Sequence, residues 1–289
     1  MNAVRIKAFA KINLGLRILG KRDDGYHEIE TLFQSIDLHD TLTFELQEKP
    51  GIELNVHSPW LLSEKENLVY RAAELIVSRV ELLQGVRITV KKRIPIGAGL
   101  GGGSSDAAAT LVGLNKLFQL KLSNTELHAL ALELGSDVPY FLVGGLCRGR
   151  GRGELLERLE PRWEGCTFLL VKPGCSLSTE AVYREYDQRV EQDGRPMSSQ
   201  IFDGIDCAND LEEAAARLCP ELPECRRILV ELKPDLFGMS GSGPTYYAGW
   251  RSEQRTELWA EQLVQKGLIV YCTHPTETGC ELAKETQAH

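Results

Sequence analysis

Long apolar runs are missing from this 289-residue chain, and no stretch reaches the about 18 consecutive apolar residues of a membrane-spanning helix. The opening residues, Met1-Asn2-Ala3-Val4-Arg5-Ile6-Lys7, contain no signal-peptide core, so a cytoplasmic location with no membrane partner is expected. A basic balance is missing as well. The chain sets 41 acids against 33 bases, a net charge of −8, and a nucleic-acid partner is not expected because such proteins carry a basic stripe. Two small basic clusters remain, Lys91-Lys92-Arg93 and the trio Arg148, Arg150 and Arg152; each suits either a small anion or a solvated edge. Paired metal ligands are missing too. The eight cysteines (147, 166, 175, 207, 219, 225, 272 and 280) form no Cys-x-x-Cys pair, and the six histidines form no His-x-x-x-His. Zinc sites draw on such close pairs, so reduced thiols are expected instead. No internal repeat of solenoid period occurs.

The composition is that of a globular protein, 43% apolar and 26% charged. At roughly 150 residues per domain the length suggests two domains. Apolar alternation marks Val4 to Leu16 as strand, with a turn at Gly20 to Gly25. Further strands are expected at Thr31 to Ile36, Thr41 to Leu46 and Ile52 to Val56, joined by polar turns. A helix starting near Ser63 or Asn67 carries Leu68, Ala72, Leu75, Ile76, Val80 and Leu83, and ends at Gly85. The strand Val86 to Ile94 leads into a glycine-rich loop and a helix from Ser104. Ser123 and Glu126 form a capping box for a helix to Leu134. Arg148 to Gly153, polar and rich in glycine, is the candidate domain boundary.

Beyond it, strands are expected at Phe168 to Val171, Thr245 to Trp250 and Leu268 to Thr273. Helices are expected from Ser178 to Tyr186, Leu211 to Leu218, Cys225 to Leu232 and Glu253 to Lys266, with a loop from Gln188 to Gln200. The mixed order favours an α+β chain of two domains over one doubly wound sheet.

Glycine is the informative excess. Five of the seven residues from Gly97 to Gly103 are glycine, within Pro95-Ile96-Gly97-Ala98-Gly99-Leu100-Gly101-Gly102-Gly103-Ser104-Ser105-Asp106. Without Cβ atoms, successive backbone N–H groups can converge on an anion, and the helix that follows adds its positive end. A triphosphate suits such a cradle. The P-loop pattern fails, because no lysine follows the glycines. Gly97 to Gly102 satisfies G-x-G-x-x-G, but a dinucleotide fold also needs an acid at the end of the next strand, about 20 residues on, and that region, Leu120 to Glu126, reads as the start of a helix.

The loop resembles that of the galactokinase–homoserine kinase–mevalonate kinase (GHMP) superfamily. Two more stretches agree in the family's order: Ala8-Phe9-Ala10-Lys11-Ile12-Asn13-Leu14 with Gly25-Tyr26-His27, and Gly238-Met239-Ser240-Gly241-Ser242-Gly243-Pro244-Thr245. The Gly-Gly-Gly-Ser-Ser-Asp form is similar to the branch whose acceptor is the diphosphocytidyl sugar alcohol 4-diphosphocytidyl-2-C-methyl-D-erythritol.

The resemblance implies an α+β, two-domain GHMP kinase fold with the active site in the cleft. The N-terminal, ribosomal-protein-like ATP-binding domain would span 1–155 and the C-terminal, ferredoxin-like domain 156–289. It implies transfer of the ATP γ-phosphate to the acceptor's 2-hydroxyl, on the non-mevalonate route to isoprenoid precursors, with Mg²⁺ as cofactor. By the same resemblance Asp137 and Lys11 are the catalytic pair. Pro95 to Ser105, with Asn67 and Lys92, hold ATP. Asn13, Tyr26, His27, Thr179, Tyr183, Ser240, Gly241, Ser242 and Gly243 face the acceptor, with Tyr26 and His27 contacting the cytosine and Tyr183 closing its other face. Ser105 is a candidate metal ligand, and the protein is expected to be a monomer or weak homodimer. The alternatives are a homoserine- or mevalonate-type kinase, a nucleotide- or RNA-binding module and a dehydrogenase.

Overall fold

The computed structural model of the chain describes residues 3–57, 67–79, 85–194, 201–202, 205–251 and 256–283. The expected helix start at Ser63, the positions Val80 and Leu83, the loop residues 195–200 and residues 253–255 lie outside them.

Alternating residues at the start of the chain build two long antiparallel strands, β1 (Ala3–Lys21) and β2 (His27–Gln47). The expected pair of strands within β2 is one strand. Register shifts, between Phe9 and Ala10 among others, bend the pair instead of breaking it with a turn. β3 (Ile52–His57), α1 (Leu68–Val77) and β4 (Gly85–Lys91) form a parallel crossover, with β4 also antiparallel to β2. Asn67 caps α1 by accepting from the Val69 amide. The helices α2 (Gly102–Leu117), α3 (Asn124–Leu134) and α4 (Val138–Val143) follow. The α3 capping box is present. α2 begins two residues before the expected Ser104, because Gly101 takes a left-handed conformation at its N-cap.

The stretch 148–153 is not a linker. β5 (Leu146–Arg150) and β6 (Leu155–Arg158) form a hairpin on β2, and the chain passes to a second sheet only between Arg158 and Thr167. Its arginines are accounted for: Arg148 pairs with Glu157 at 3.1 Å and Arg150 with Glu30 at 3.0 Å, while Arg152 lies over the Tyr26 ring.

The second half holds β7 (Thr167–Lys172), α5 (Thr179–Asp193), β8 (Ile201–Phe202), β9 (Ile205–Asp206), α6 (Glu212–Leu218), α7 (Leu222–Glu231), β10 (Leu236–Met239), β11 (Tyr246–Trp250), α8 (Thr256–Gln265) and β12 (Ile269–Thr273). Its four-stranded sheet runs β10-β11-β7-β12. α5 extends two turns past the expected end at Tyr186, so residues 188–193 are helix and not loop. β13 (Cys280–Leu282) then returns to pair with β1 in the first sheet. The result is a two-domain α+β fold.

Three apolar clusters hold it together. One lies between the first sheet and α1–α4, with Ala107, Ala108 and Ala109 letting α2 settle close to the strands; another lies between the second sheet and its helices. The third joins the halves, bringing Ala10, Ile12, Leu14 and Ile36 against Trp163, Phe168, Leu170 and Tyr247. At about 25 cal/mol per Å² of apolar surface, such a shared core fixes one half on the other.

The thiols depart from expectation. Cys175 and Cys219 are joined in a disulfide, while Cys147, Cys166, Cys207 and Cys225 are buried free thiols. Among the described residues, the one cluster with metal-ligand spacing is that disulfide with Glu221, whose sulfurs are already bonded to each other. No described helix is long and apolar enough to cross a membrane.

Candidate active site

A cavity of about 1110 Å³ runs between the halves. Its floor is the loop from Pro95 to Ser104, where Gly97, Gly99 and Gly101 have φ of 61°, 73° and 70°. Close approach makes Gly99 necessary. A Cβ there would lie 2.1 Å from the Ser240 carbonyl oxygen, so the two loops approach this closely only because position 99 has no side chain. Positive φ makes Gly101 necessary, and a Cβ on it would meet the Phe141 ring at 2.6 Å. Beyond Gly101, the first amides of α2 have no intrahelical acceptor and present a positive end to the cavity.

Lys11 and Asp137 meet beside this loop, 3.7 Å apart. Lys11 comes from β1 and is only 4% exposed; it donates to the Asn13 side chain and lies 5.5 Å from the Phe33 ring centroid. Burial pushes its ammonium below the ordinary lysine value, and Asp137 partly restores it. Asp137 precedes α4, the short helix that sets its direction, and its side chain makes no capping bond. A buried cation beside a half-exposed carboxylate can stabilise developing negative charge while the carboxylate accepts a proton.

One end of the cavity is lined by Val56, Leu68, Val69, Val90 and Ile94, with Asn67 and Lys92. Lys92 bonds Asp40 at 2.5 Å and Asp106 at 2.7 Å. Burial works against its charge, but Asp106 and Asp40 outweigh it and hold the ammonium above the ordinary value. Burial pushes the Asp106 carboxyl up, against the pull of Lys92. Sequence reasoning quoted Asp106 in the loop but gave it no part, and Asp40 not at all; neither has a local pattern, because the trio forms only when β2, β4 and α2 pack.

The other end carries Tyr26, 55% exposed under the Arg152 guanidinium at 4.8 Å from the ring centroid, with His27, Thr179, Tyr183 and Asp187. Tyr183 packs on the His27 ring, centroids 4.9 Å apart. The Thr179 and Ser242 hydroxyls are 3.0 Å apart, and the Asn13 side chain donates to Thr31 at 2.8 Å. Asp187 was missed, although Thr179, Tyr183 and Asp187 follow helical spacing on one face. Arg152, which the sequence offers only as part of a small basic cluster, is brought over the Tyr26 ring by the turn between β5 and β6.

Three expected site residues do not line the cavity. Ser105 is fully buried and donates to the Phe9 carbonyl at 2.6 Å, so it is not placed to ligate a metal. Ser240 is buried as a fastener: it donates to the Gly99 carbonyl at 2.8 Å and accepts from the Asn13 amide at 3.1 Å. Gly243 closes the turn through its amide to the Ser240 carbonyl at 2.9 Å. Gly241 and Ser242 carry the contact with the cavity. The remaining expected residues, from Lys11 to Tyr183, all line it.

Comparison with known proteins gives the family of the chain. Residues 67–145 match the GHMP kinases N terminal domain and residues 194–264 the GHMP kinases C terminal domain. The 4-diphosphocytidyl-2-C-methyl-D-erythritol kinase of Pelotomaculum thermopropionicum is 46% identical over 249 residues, covering 83% of this chain and 86% of its own. That of Listeria monocytogenes serotype 4a is 41% identical over 277 residues, 93% of each chain. A crystal structure of 4-(cytidine 5'-diphospho)-2C-methyl-D-erythritol kinase superposes with a TM-score of 0.72 at 34% identity, over 93% of this chain and 99% of that one. A homoserine kinase from Cytophaga hutchinsonii reaches a TM-score of 0.71 over 98% of each chain at 18% identity, a likeness of fold alone.

Proposed function

Because the chain belongs to the 4-diphosphocytidyl-2-C-methyl-D-erythritol kinases, a family of GHMP kinases, we propose that its cavity carries the γ-phosphoryl group of ATP to the 2-hydroxyl of that sugar alcohol. It is an ATP-dependent small-molecule kinase. The observation that supports the assignment of ends is the Lys11–Asp137 pair, 3.7 Å apart between an amide-lined loop and a cluster of aromatic rings.

In this reading the amides of Gly97 to Ser104 and the N-terminus of α2 hold the triphosphate, with the adenosine toward Asn67 and Lys92. The acceptor enters between Tyr26 and Tyr183, with Asn13, Thr179, Gly241 and Ser242 along its diphosphate and sugar alcohol. Asp137 orients the hydroxyl and takes its proton late, as the oxygen–phosphorus bond forms and the bond from the γ-phosphorus to its bridging oxygen breaks. Lys11 lies against the charge on the transferred group. Phe33 and the β1–β2 walls shield Lys11 from water.

Mg²⁺ fits as an ion carried mainly by phosphates, since the hydroxyl of Ser104 at the helix start has no hydrogen-bond partner among the described residues and offers a hard oxygen. When bound, such an ion would offset phosphate charge, with Ser104 the protein oxygen that would hold it. We place the protein in the cytoplasm, where ATP is supplied, as a monomer or weak homodimer without a nucleic-acid partner.

A product assay tests the reading. ATP is incubated with the diphosphocytidyl alcohol, homoserine and mevalonate in turn, and products are read by mass spectrometry. Phosphorylation of the cytidyl compound alone is expected; phosphorylation of homoserine or mevalonate instead would replace it.

A further inference from the structure

Residues 173–177 connect β7 to α5 and bring the second half against the start of the glycine loop. A Cβ on Gly97 would lie 3.4 Å from the Ser176 Cβ and 3.6 Å from the Leu177 carbonyl oxygen. The segment then delivers Thr179, whose hydroxyl meets that of Ser242. Little holds it in place. No amide from Gly174 to Leu177 has an acceptor among the described residues. Two anchors remain. The buried Lys172 ammonium donates to the Pro173 carbonyl at 3.1 Å and to the Cys175 carbonyl at 2.6 Å. The Cys175–Cys219 disulfide ties the segment to the end of α6, 44 residues further along the chain.

Both redox states of that pair are provided for. Cys175 is partly exposed, so a thiolate from outside can reach it, while Cys219 is buried in the core of the second half. Cys219 Sγ lies 3.3 Å from Glu221 Oε2 in hydrogen-bonding geometry. A disulfide sulfur has no proton to donate, so that acceptor serves only a reduced Cys219 thiol. In a compartment that keeps thiols reduced, a disulfide is usually transient or redox-sensing and not a scaffold.

Resting on the placement of the triphosphate along the amides of residues 97–104, we infer that the Cys175–Cys219 pair is a thiol–disulfide switch on ATP binding. The bond seats residues 173–177 against the glycine loop, and its reduction by a dithiol loosens that wall and weakens the hold on ATP. One thiolate of the dithiol attacks Cys175 Sγ; the sulfur–sulfur bond breaks, and Cys219 leaves as a thiolate that takes up a proton beside Glu221. The second thiolate of the dithiol then attacks its own partner sulfur in the mixed disulfide, and Cys175 leaves and is protonated in turn. The dithiol gives up two electrons and two protons and becomes a disulfide itself. Lys172 needs no disulfide to keep its two carbonyls, so reduction frees the segment without unfolding the half.

The experiment measures the Kd of ATP by calorimetry and the KM for ATP in steady state, on the full-length protein before and after dithiothreitol. Wild type, Cys175→Ser and Cys219→Ser are compared, with Tm recorded for each. Alkylation under denaturing conditions, read by mass spectrometry, should show Cys175 and Cys219 as thiols only after reduction. In the wild type, reduction should raise Kd and KM for ATP together by about three- to tenfold, because only the fraction with a seated wall binds tightly. The accompanying kcat should stay within about twofold. Both variants should match the reduced wild type and ignore dithiothreitol. An unchanged Kd on reduction overturns the inference. So does a response that persists in Cys175→Ser, which would belong to another cysteine.

A wild type that phosphorylates no acceptor removes the kinase reading, and hydrogen exchange without nucleotide then still decides the switch. Faster exchange at residues 97–101 on reduction supports it; unchanged exchange there overturns it.

Discussion

The two ends of the cleft are made of different material. Along the loop proposed to hold the triphosphate the contact surface is main chain: glycines with positive φ and a helix start. At the acceptor end it is side chain: an exposed tyrosine, a histidine on a carboxylate, an arginine over a ring. Main-chain amides grip any triphosphate alike, while rings and carboxylates distinguish one base from another. The donor end is therefore intolerant of added atoms, and the acceptor end is sensitive to removed ones.

Substitutions can break that contrast. The largest loss is expected at the seam. Asp137→Ala should lower kcat by about 10³-fold with the KM for ATP within about twofold, in steady-state assays; a loss seen mainly in KM would move Asp137 out of the reaction. Next comes Gly99→Ala, whose Cβ would fall 2.1 Å from the Ser240 carbonyl oxygen. It should lower kcat/KM for both substrates together by about 100-fold and reduce Tm by several degrees, since overpacking typically costs about 1–3 kcal/mol. Selective loss of one substrate would mean that the two loops act separately.

Tyr26→Ala should raise only the acceptor KM, by about 10- to 100-fold, in line with about 1–3 kcal/mol for a stacked base. An equal rise for ATP would erase the distinction between the ends. The smallest effect concerns pH. Lys11 loses its positive charge as pH rises, and burial lowers its pKa, so kcat/KM should fall along an alkaline limb lying below the ordinary lysine value of 10.5. Asp137 raises the Lys11 pKa, so in Asp137→Asn the corresponding limb of ATP binding, read by calorimetry, should move lower still.

Local signals made the donor end legible from the sequence alone. A glycine run before a helix and an alternating strand containing Lys11 are short-range patterns, and they sit where the pattern puts them. The acceptor end was half legible. Tyr26, His27 and Tyr183 could be named by resemblance, but Asp187 lies just past Tyr186, where the helix is expected to end because the sequence beyond it is polar. The Lys92–Asp40–Asp106 trio and the Cys175–Cys219 bond join residues far apart in the chain, so no window of sequence contains them. The hairpin β5–β6 was hidden by glycines that suggest a linker when no partner strand is in view.

The return of β13 to β1 has a consequence for how the enzyme is made. On the ribosome, the sheet that carries Lys11 waits with an open flank while the whole second half is synthesised, for the strand that covers it is encoded at Cys280–Leu282. Until that strand arrives, the bare edge is a place where a neighbouring nascent chain could dock. A shortened product ending before Cys280 would keep every residue assigned here to ATP and acceptor, yet would leave that flank permanently open to aggregation.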